Sequence, residues 1–300
     1  MPRKTRQYLV IGANSRVGRE ICRQLGDDVI AKTKESLDIT NFENTRKTLK
    51  LLKPDAVVNA AAYTDWLSAE KNQERCWKVN TFAVHNLAKC CVDLKLPFMH
   101  VSDARVFGQE EGRKTPYCED DCVGPVNFYS QSKAAAEQAI LSTAMNTNLK
   151  HWIIRTSFVY ERPWRESADM PYKILAAGRY REPVQTLSDV YCSPTYAPHL
   201  AKALIHILDH RNEIESGTYH VANKGAVSMH QLGLELIRYS GKALTLAPTN
   251  TRFLCQKNGI PVNMWPRFTP LDTSKFEREC GYDLPTWQEG LQGYIDAWED

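Results

Sequence analysis

Short apolar runs alternate with amphipathic stretches over the first half of the chain. The apolar runs occupy residues 8–11, 29–31, 56–59, 98–102 and 152–154. Between them, apolar side chains recur with helical spacing at residues 17–25, 44–52, 73–94 and 130–141. This alternation is typical of a parallel sheet with helices on both faces. The sequence therefore predicts an α/β fold, a Rossmann-type doubly wound parallel sheet.

The second half is less regular. Its pattern predicts helices at residues 198–210 and 229–239 and a short strand at 219–221. Residues 247–270 contain four prolines and little periodicity, which indicates a long surface segment. We therefore expect a smaller mixed domain packed on the carboxyl edge of the sheet.

Composition limits the classes of protein that remain. The chain has 300 residues, of which 43% are hydrophobic and 24% charged, so it is neither disordered nor fibrous. No apolar run is long enough for a bilayer, and a net charge of +3 is too small to indicate nucleic-acid binding. Nine cysteines without a Cys-x-x-Cys pair favour a reducing, cytoplasmic location and no metal site. We expect neither a nucleic-acid nor a membrane partner.

A glycine-containing turn, GANSRVG at residues 12–18, follows the first predicted strand and opens the first helix. Small residues at this point let backbone N–H groups and the positive helix end reach a pyrophosphate. The candidate contacts are Gly12, Asn14, Ser15, Arg16, Val17 and Gly18. Ser15 stands where a middle glycine is usual, so its Cβ is expected to crowd the phosphate or to force a strained backbone angle. A tight turn without a ligand is the alternative.

Basic residues near the end of the second strand bear on which dinucleotide would bind. An NAD site usually has an acid there for the ribose 2′-hydroxyl, whereas this chain has Lys32, with Arg16 and Arg19 near the turn. Basic groups suit a 2′-phosphate, so NADP is preferred, with NAD possible. Asp38 is placed to lie near the adenine. These residues could equally be solvated surface charges.

Tyr129 and Lys133 open the predicted helix at 130–141 and lie four residues apart, so they share one helix face. An ammonium beside a phenol stabilises phenolate and lowers the pKa of the phenol toward the working range. That arrangement moves a proton to or from a carbonyl oxygen during hydride transfer. A chance Tyr-x-x-x-Lys is common, so the pair gains meaning only from its neighbours.

The motifs occur in the order found in the extended short-chain dehydrogenase/reductases. They are the glycine turn, NAAA at 59–62, VN at 79–80, the segment 102–108, and Tyr129 with Lys133. More narrowly, the chain resembles the dTDP-4-dehydrorhamnose reductases. The supporting segments are PDAVVNAAAYT at 54–64, RTSFVY at 155–160, SPTYA at 193–197, LDTSKF at 271–276 and LPTW at 284–287. The resemblance spans nearly the whole chain.

This resemblance implies an NAD(P)-dependent oxidoreductase that reduces the keto group of a nucleotide-activated sugar. Tyr129 would be the proton donor and Lys133 the ribose anchor, with Ala60, Ala61 and Ala62 beside the cofactor. It also implies a dinucleotide-binding domain at 1–157, to which 190–212 return. Residues 158–189 and 213–300 would then form the smaller C-terminal substrate-binding domain.

The chain departs from the family where the third catalytic group belongs. Aligning Val106 and Phe107 with the family segment puts Asp103 in the place of a Ser or Thr hydroxyl. An ionised carboxylate only accepts hydrogen bonds and opposes negative charge on the substrate oxygen. At about 5 Å and an effective dielectric near 20, the repulsion is roughly 3 kcal/mol, or about a hundredfold in rate. A protonated Asp103 could still donate. Ser102 points to the other side of the strand.

Two alternatives remain open. One is a catalytically weak or inactive member that binds a dinucleotide and acts as a regulatory or partner protein, as the regulatory β subunit of methionine adenosyltransferase does on a similar scaffold. The other is an epimerase or dehydratase of nucleotide sugars that uses tightly held NAD. A homodimer or a regulatory protein partner is possible in either case.

Arginines and one tryptophan are candidates for the substrate. A guanidinium matches phosphate geometry, so a diphosphate could be bound by one of a set of arginines. The set is Arg105, Arg155, Arg165, Arg179, Arg181 and Arg267, of which Arg105 and Arg267 are preferred. Trp66 follows the alanine segment and could stack on a base or sugar. Solvated surface arginines and a core tryptophan are the alternatives.

Overall fold

The computed structural model describes residues 6–110, 112–163, 169–177 and 183–299. Its strands are β1 (Tyr8–Ile11), β2 (Val29–Lys32), β3 (Ala56–Asn59), β4 (Phe98–Asp103), β5 (His151–Thr156), β6 (Val159–Tyr160), β7 (Val184–Leu187), β8 (Tyr191–Cys192), β9 (Thr195–Tyr196), β10 (Gly217–His220), β11 (Val227–Ser228) and β12 (Leu246–Thr249). Its helices are α1 (Arg16–Leu25), α2 (Phe42–Leu52), α3 (Trp66–Lys71), α4 (Gln73–Trp77), α5 (Ala83–Leu94), α6 (Phe128–Met145), α7 (Met170–Ala176), α8 (Ala197–Asp209), α9 (Met229–Ser240), α10 (Thr251–Asn258), α11 (Ser274–Cys280) and α12 (Trp287–Glu299). None of these helices is long and apolar enough to cross a membrane.

Six parallel strands form the central sheet in the order β10-β5-β4-β3-β1-β2. Alternate residues of β1 face opposite sides, as strand geometry requires. Val10 packs in the core that contains Leu204 of α8, and Leu9 packs in the core that contains Leu87 of α5. Both faces of the sheet are therefore buried under helices, and the predicted doubly wound α/β fold is confirmed.

The strand order reverses between β1 and β3, where β2 lies on one side and β4 on the other. In an open α/β sheet, the connections after the two strands at such a reversal diverge and leave a crevice for ligands. The glycine turn at 12–18 follows β1, and the alanine segment at 60–62 follows β3. Sheet topology thus brings two of the predicted site segments to one edge.

The smaller part of the fold combines short strand pairs with helices. β7 pairs with β12, β8 with β11 and β6 with β9. Its core contains Tyr160, Ile174, Leu232, Leu291 and Tyr294, all buried. This cluster is separate from the two cores that flank the central sheet.

The structure differs from the predicted domain division at β10 and α11. Residues 213–300 were assigned to the smaller domain, yet β10 pairs with β5 in the central sheet, with Gly217 opposite Trp152. The physical reason is a crossover: β10 follows α8, which packs on one face of the sheet, and so returns parallel to its edge. Phe276 of α11 and Leu284 belong to the same hydrophobic core as Leu204 of α8, on one face of the sheet. The remaining boundaries stay a prediction.

Residues 247–270 also differ from the expected irregular surface segment. The segment contains most of β12, which pairs with β7, and the helix α10. The Asn250 side chain starts α10 by accepting a hydrogen bond from the Phe253 N–H at 2.8 Å. A local cap therefore outweighs the proline content that suggested a loop.

Candidate active site

In the glycine turn, close backbone contacts leave no room for a side chain at Gly12 or Gly18. Gly12 has φ +80°, and a Cβ placed there would lie 2.5 Å from the Ala61 nitrogen. A Cβ on Gly18 would lie 2.1 Å from the Gly12 carbonyl oxygen. The N–H groups of Gly12 and Ala13 donate to the Lys32 carbonyl at 2.8 and 3.0 Å. The turn therefore brings β1, β2 and the segment after β3 into direct contact.

Ser15 caps helix α1 without backbone strain. Its φ of −73° and ψ of 162° are extended values, and its Oγ accepts a hydrogen bond from the Gly18 N–H at 3.0 Å. The expectation of an unfavourable backbone angle at Ser15 is therefore wrong, because the serine acts as an ordinary N-cap. The N–H groups of Arg16 and Val17 lie in the first turn, where a helix supplies no acceptor of its own. They are available to an anion at this end.

A buried carboxylate lies close to the two arginines near the glycine turn. Glu161, only 7% exposed, lies 3.7 Å from the Arg16 guanidinium and forms an ion pair with Arg19. Sequence reasoning missed Glu161, which directly follows β6, and this acid would compete with a phosphate for both arginines. Lys32 ends β2 half-buried, and Asp38 is exposed, where its carboxylate accepts from Thr40 at 2.7 Å.

The alanine segment is anchored by two buried asparagines. The Asn59 side chain accepts a hydrogen bond from the Ala61 N–H at 3.1 Å. The Asn80 side chain accepts from the Tyr63 N–H at 2.7 Å and donates to Ser132 of α6 at 2.9 Å. These bonds fix residues 60–63, including Ala60 and Ala62, between β3 and α6.

Tyr129 and Asp103 are joined directly. Tyr129, on the first turn of α6, donates its hydroxyl proton to Oδ2 of Asp103, the last residue of β4, at 2.6 Å. Oδ1 of the same carboxylate accepts from the Arg105 N–H at 2.9 Å. Burial raises the pKa of Tyr129 well above its usual value, and the charge of Asp103 raises it further, whereas Arg105 opposes both.

Lys133 is buried beneath this pair. Its Nζ donates to the Val101 carbonyl at 2.8 Å and lies 3.3 Å from Nε2 of His100. Burial lowers the pKa of Lys133 to about 8, although the charges of Asp103 and Glu137 oppose that change. We expected Lys133 to lower the pKa of Tyr129, and the net direction is the reverse. Tyr129 and Lys133 lie four residues apart on α6, as the sequence predicted, but β4 supplies the hydrogen-bond partners of both side chains.

A cleft opens beside Asp103 between the sheet edge and the smaller part of the fold. Trp66 and Arg105, both predicted to contact substrate, line it. Trp265 lines it too and meets Trp66 edge to face, with ring centroids 5.0 Å apart. Sequence reasoning missed Trp265 as a contact, although it selected the loop that carries it. Other lining residues are Asn127, Ser157, Phe158, Leu187, Val190, Cys192, Met229, Pro266 and Thr269.

The remaining arginine candidates lie elsewhere. Arg267 is exposed and does not line the cleft, although Trp265 and Pro266 beside it do. Arg155 is 6% exposed and forms an ion pair with Glu137 at 2.8 Å, so it is a core residue and not a diphosphate ligand. Ser102 bonds to the same Glu137 carboxylate, away from the cleft, as expected. Arg165, Arg179 and Arg181 lie outside the described residues.

Comparisons with known proteins agree with this architecture. A family model described as "RmlD substrate binding domain" matches residues 6–299. The chain is 31% identical over 294 residues to the dTDP-4-dehydrorhamnose reductase of Mycolicibacterium smegmatis, covering 97% of this chain and 85% of that protein. It is 30% identical over 293 residues to the spore coat polysaccharide biosynthesis protein SpsK of Bacillus subtilis, covering 96% of each.

A solved structure shows the same fold. The dTDP-4-dehydrorhamnose reductase of Bacillus anthracis, crystallised in complex with NADP, superposes with a TM-score of 0.86 and 24% identity. The superposition covers 97% of this chain and 99% of that one. The chain therefore belongs to the RmlD substrate-binding-domain family, within the extended short-chain dehydrogenase/reductases.

Proposed function

We propose that this protein is an NADPH-dependent oxidoreductase that reduces the keto group of a nucleotide-activated sugar. The observation that carries the proposal is the Asp103 carboxyl, which lines the cleft and bonds to the buried phenol of Tyr129 at 2.6 Å. This proton-transfer pair lies at the carboxyl edge of the sheet whose strand reversal adjoins the glycine turn. The name of the reductase that is 31% identical supports a dTDP-4-keto-6-deoxy sugar as substrate.

The residues at the strand reversal fit a dinucleotide. The first-turn N–H groups of Arg16 and Val17 and the positive end of α1 suit a pyrophosphate. The half-buried segment of Ala61 and Ala62 is small enough for a nucleoside to approach the backbone of β3. Lys32 ends β2, where a basic side chain favours a 2′-phosphate, which supports NADP over NAD. NADPH, when bound, supplies the hydride.

In this proposal, the proton that the substrate oxygen takes up comes from the hydrogen-bonded pair of Tyr129 and Asp103. A protonated carboxyl in the cleft donates to that oxygen, whereas a carboxylate would repel it by roughly 3 kcal/mol at about 5 Å. Once the proton has left, the carboxylate accepts from the Tyr129 hydroxyl and the Arg105 N–H, both already in place. Charge-assisted hydrogen bonds of this kind stabilise the deprotonated form of Asp103.

Lys133 and three residues of the cleft are assigned to cofactor and substrate binding in this proposal. Lys133, buried at the base of the site, would donate to the ribose hydroxyls. The indoles of Trp66 and Trp265 present faces on which a base can stack. Arg105 brings a guanidinium to the same cleft for a phosphate or a sugar oxygen.

One observation favours a second candidate, a cofactor-binding regulatory protein without turnover. The Tyr129 hydroxyl is engaged by Asp103, and the raised pKa of the phenol makes it a weak acid. A permanently ionised Asp103 would then leave the fold and the cofactor site intact but remove the proton donor.

The two candidate functions can be distinguished by comparing the wild type with the variants Asp103→Thr and Tyr129→Phe. Each is tested for NADPH binding by calorimetry and for NADPH oxidation with dTDP-4-dehydrorhamnose. We expect binding by all three and turnover by the wild type that Tyr129→Phe loses. A wild type that binds NADPH without turnover, beside an Asp103→Thr variant that turns over, would establish the regulatory candidate instead.

A further inference from the structure

A hydrogen-bonded chain of buried side chains lies beneath the candidate site. Asn59 and His100 are fully buried, and Lys133 is 2% exposed. Asn59 Nδ2 lies 3.1 Å from His100 Nδ1, and His100 Nε2 lies 3.3 Å from Lys133 Nζ. We propose that Asn59 and His100 are positioning residues that set the proton affinity of Lys133 by fixing the tautomer of the imidazole.

The orientation of Asn59 determines which imidazole nitrogen carries the proton. Its Oδ1 accepts from the Ala61 N–H at 3.1 Å, so its Nδ2 faces His100. An amide nitrogen only donates, and therefore His100 Nδ1 must present a lone pair. Burial holds the pKa of His100 well below its usual value, so the ring is neutral. Its single proton then resides on Nε2.

That tautomer points an N–H at Lys133. An ammonium has no lone pair and would place its own hydrogens against this donor. A neutral amine can accept from His100 Nε2 while it donates to the Val101 carbonyl at 2.8 Å. The His100 contact therefore stabilises the neutral form of Lys133 relative to the charged form.

Charged groups on the surrounding elements act in the other direction but make no hydrogen bond to Lys133 in the described structure. Asp103 of β4 bonds to Tyr129 and to the Arg105 N–H, and Glu137 of α6 bonds to Arg155. Cys76 of α4 bonds to Ser132 and Asn80 and also acts to raise the pKa of Lys133. Burial outweighs both carboxylates and lowers the pKa of Lys133 to about 8, and the His100 contact would act in the same direction as burial.

The functional consequence rests on the proposed function, in which Lys133 binds the ribose. An ammonium is the stronger donor, so cofactor affinity is expected to fall as pH rises through about 8. The Asn59–His100 pair would move this transition to lower pH. Without it, the transition should occur at higher pH.

The direct test is the tautomer of His100 in cofactor-free wild-type protein, read from nitrogen NMR of isotope-labelled histidine. The His100 signal is identified by its loss in His100→Gln and by the slow solvent exchange expected of a fully buried ring. We expect a neutral ring protonated on Nε2. An imidazolium, or a neutral ring protonated on Nδ1, would overturn the proposal. This result does not depend on whether the protein reduces a sugar.

A matched pair of variants tests the link to Lys133. Asn59→Ala and Asn80→Ala each remove one anchor of residues 60–63, but only Asn59 touches His100. The pH midpoint of NADPH affinity, measured by calorimetry, should rise by about one pH unit in Asn59→Ala. Asn80→Ala should keep the wild-type midpoint. Equal midpoints in the two variants would refute the tuning role, and the wild-type spectrum decides the tautomer if Asn59→Ala does not fold.

Discussion

The hydroxyl of Tyr129 lies 2.6 Å from Oδ2 of Asp103, so a phenol on a helix and a carboxyl at a strand end share one hydrogen bond. In this family a Ser or Thr hydroxyl is expected at the position of Asp103, and two hydroxyls can both donate to a substrate oxygen. A carboxyl does so only while protonated. Under the proposed function, proton transfer would therefore involve both members of the pair and not the tyrosine alone.

Replacing Asp103 with Asn should reduce turnover by at least a hundredfold, because an amide keeps the shape but does not transfer a proton. NADPH affinity should stay within a few-fold of wild type, since Asp103 is not part of the glycine turn. Steady-state kinetics and calorimetry on the same preparations check both. Asp103→Thr is the companion variant, and retained turnover there would show that a hydroxyl suffices. Full activity in Asp103→Asn would exclude the carboxyl as proton donor.

Replacing Gly18 with Ala should abolish cofactor binding and lower the free energy of unfolding by about 1–3 kcal/mol. The new Cβ would lie 2.1 Å from the Gly12 carbonyl oxygen, so the backbone of the turn must move. Gly217→Ala is the control, because the nearest atoms to a Cβ there are 3.9 Å away. Denaturant unfolding and NADPH titration measure the difference. Wild-type binding by Gly18→Ala would argue against a pyrophosphate at this turn.

Replacing Glu161 with Gln should strengthen NADPH binding several-fold and leave NADH binding nearly unchanged. The carboxylate now pairs with Arg16 and Arg19, and its neutral isostere would release both guanidinium groups toward a 2′-phosphate. Titrations with each cofactor at low and high salt measure the effect, which should shrink as salt screens it. An equal gain for both cofactors would assign the arginines to the pyrophosphate instead.

His220 should make the fold less stable in mild acid. Burial, with the charge of Arg155, lowers its pKa to about 3 from an unfolded value near 6.5. Between these values the unfolded chain binds the extra proton, so stability present above pH 6.5 is lost as pH falls, by up to about 1.4 kcal/mol per pH unit. Denaturant unfolding at several pH values should give a flatter dependence for His220→Gln. An unchanged slope would contradict this assignment.

The sequence predicted what depends on local order along the chain. The glycine turn between β1 and α1, and the spacing of Tyr129 and Lys133 on α6, follow from strand and helix periodicity. The sheet follows from the alternation of these elements. The side chain of Ser102 points away from the cleft because successive strand residues, here Ser102 and Asp103, face opposite sides of the sheet.

What escaped prediction depends on contacts between distant segments. Glu161 pairs with Arg19, which lies 142 residues earlier in the chain, and no local sequence pattern marks that pairing. Tyr129 and Lys133 share a helix face, but their hydrogen-bond partners belong to β4. β10 joins the central sheet because α8 packs back on it, which a four-residue strand does not signal by itself. Tertiary packing decided each of these outcomes.

Trp66 and Trp265 belong to segments nearly two hundred residues apart in the chain, yet their indole rings meet at 5.0 Å on the rim of the cleft. Under the proposed function, a base that stacks beside them would change the electronic surroundings of both chromophores. Tryptophan emission would then serve as an intrinsic reporter of substrate binding, without an attached dye.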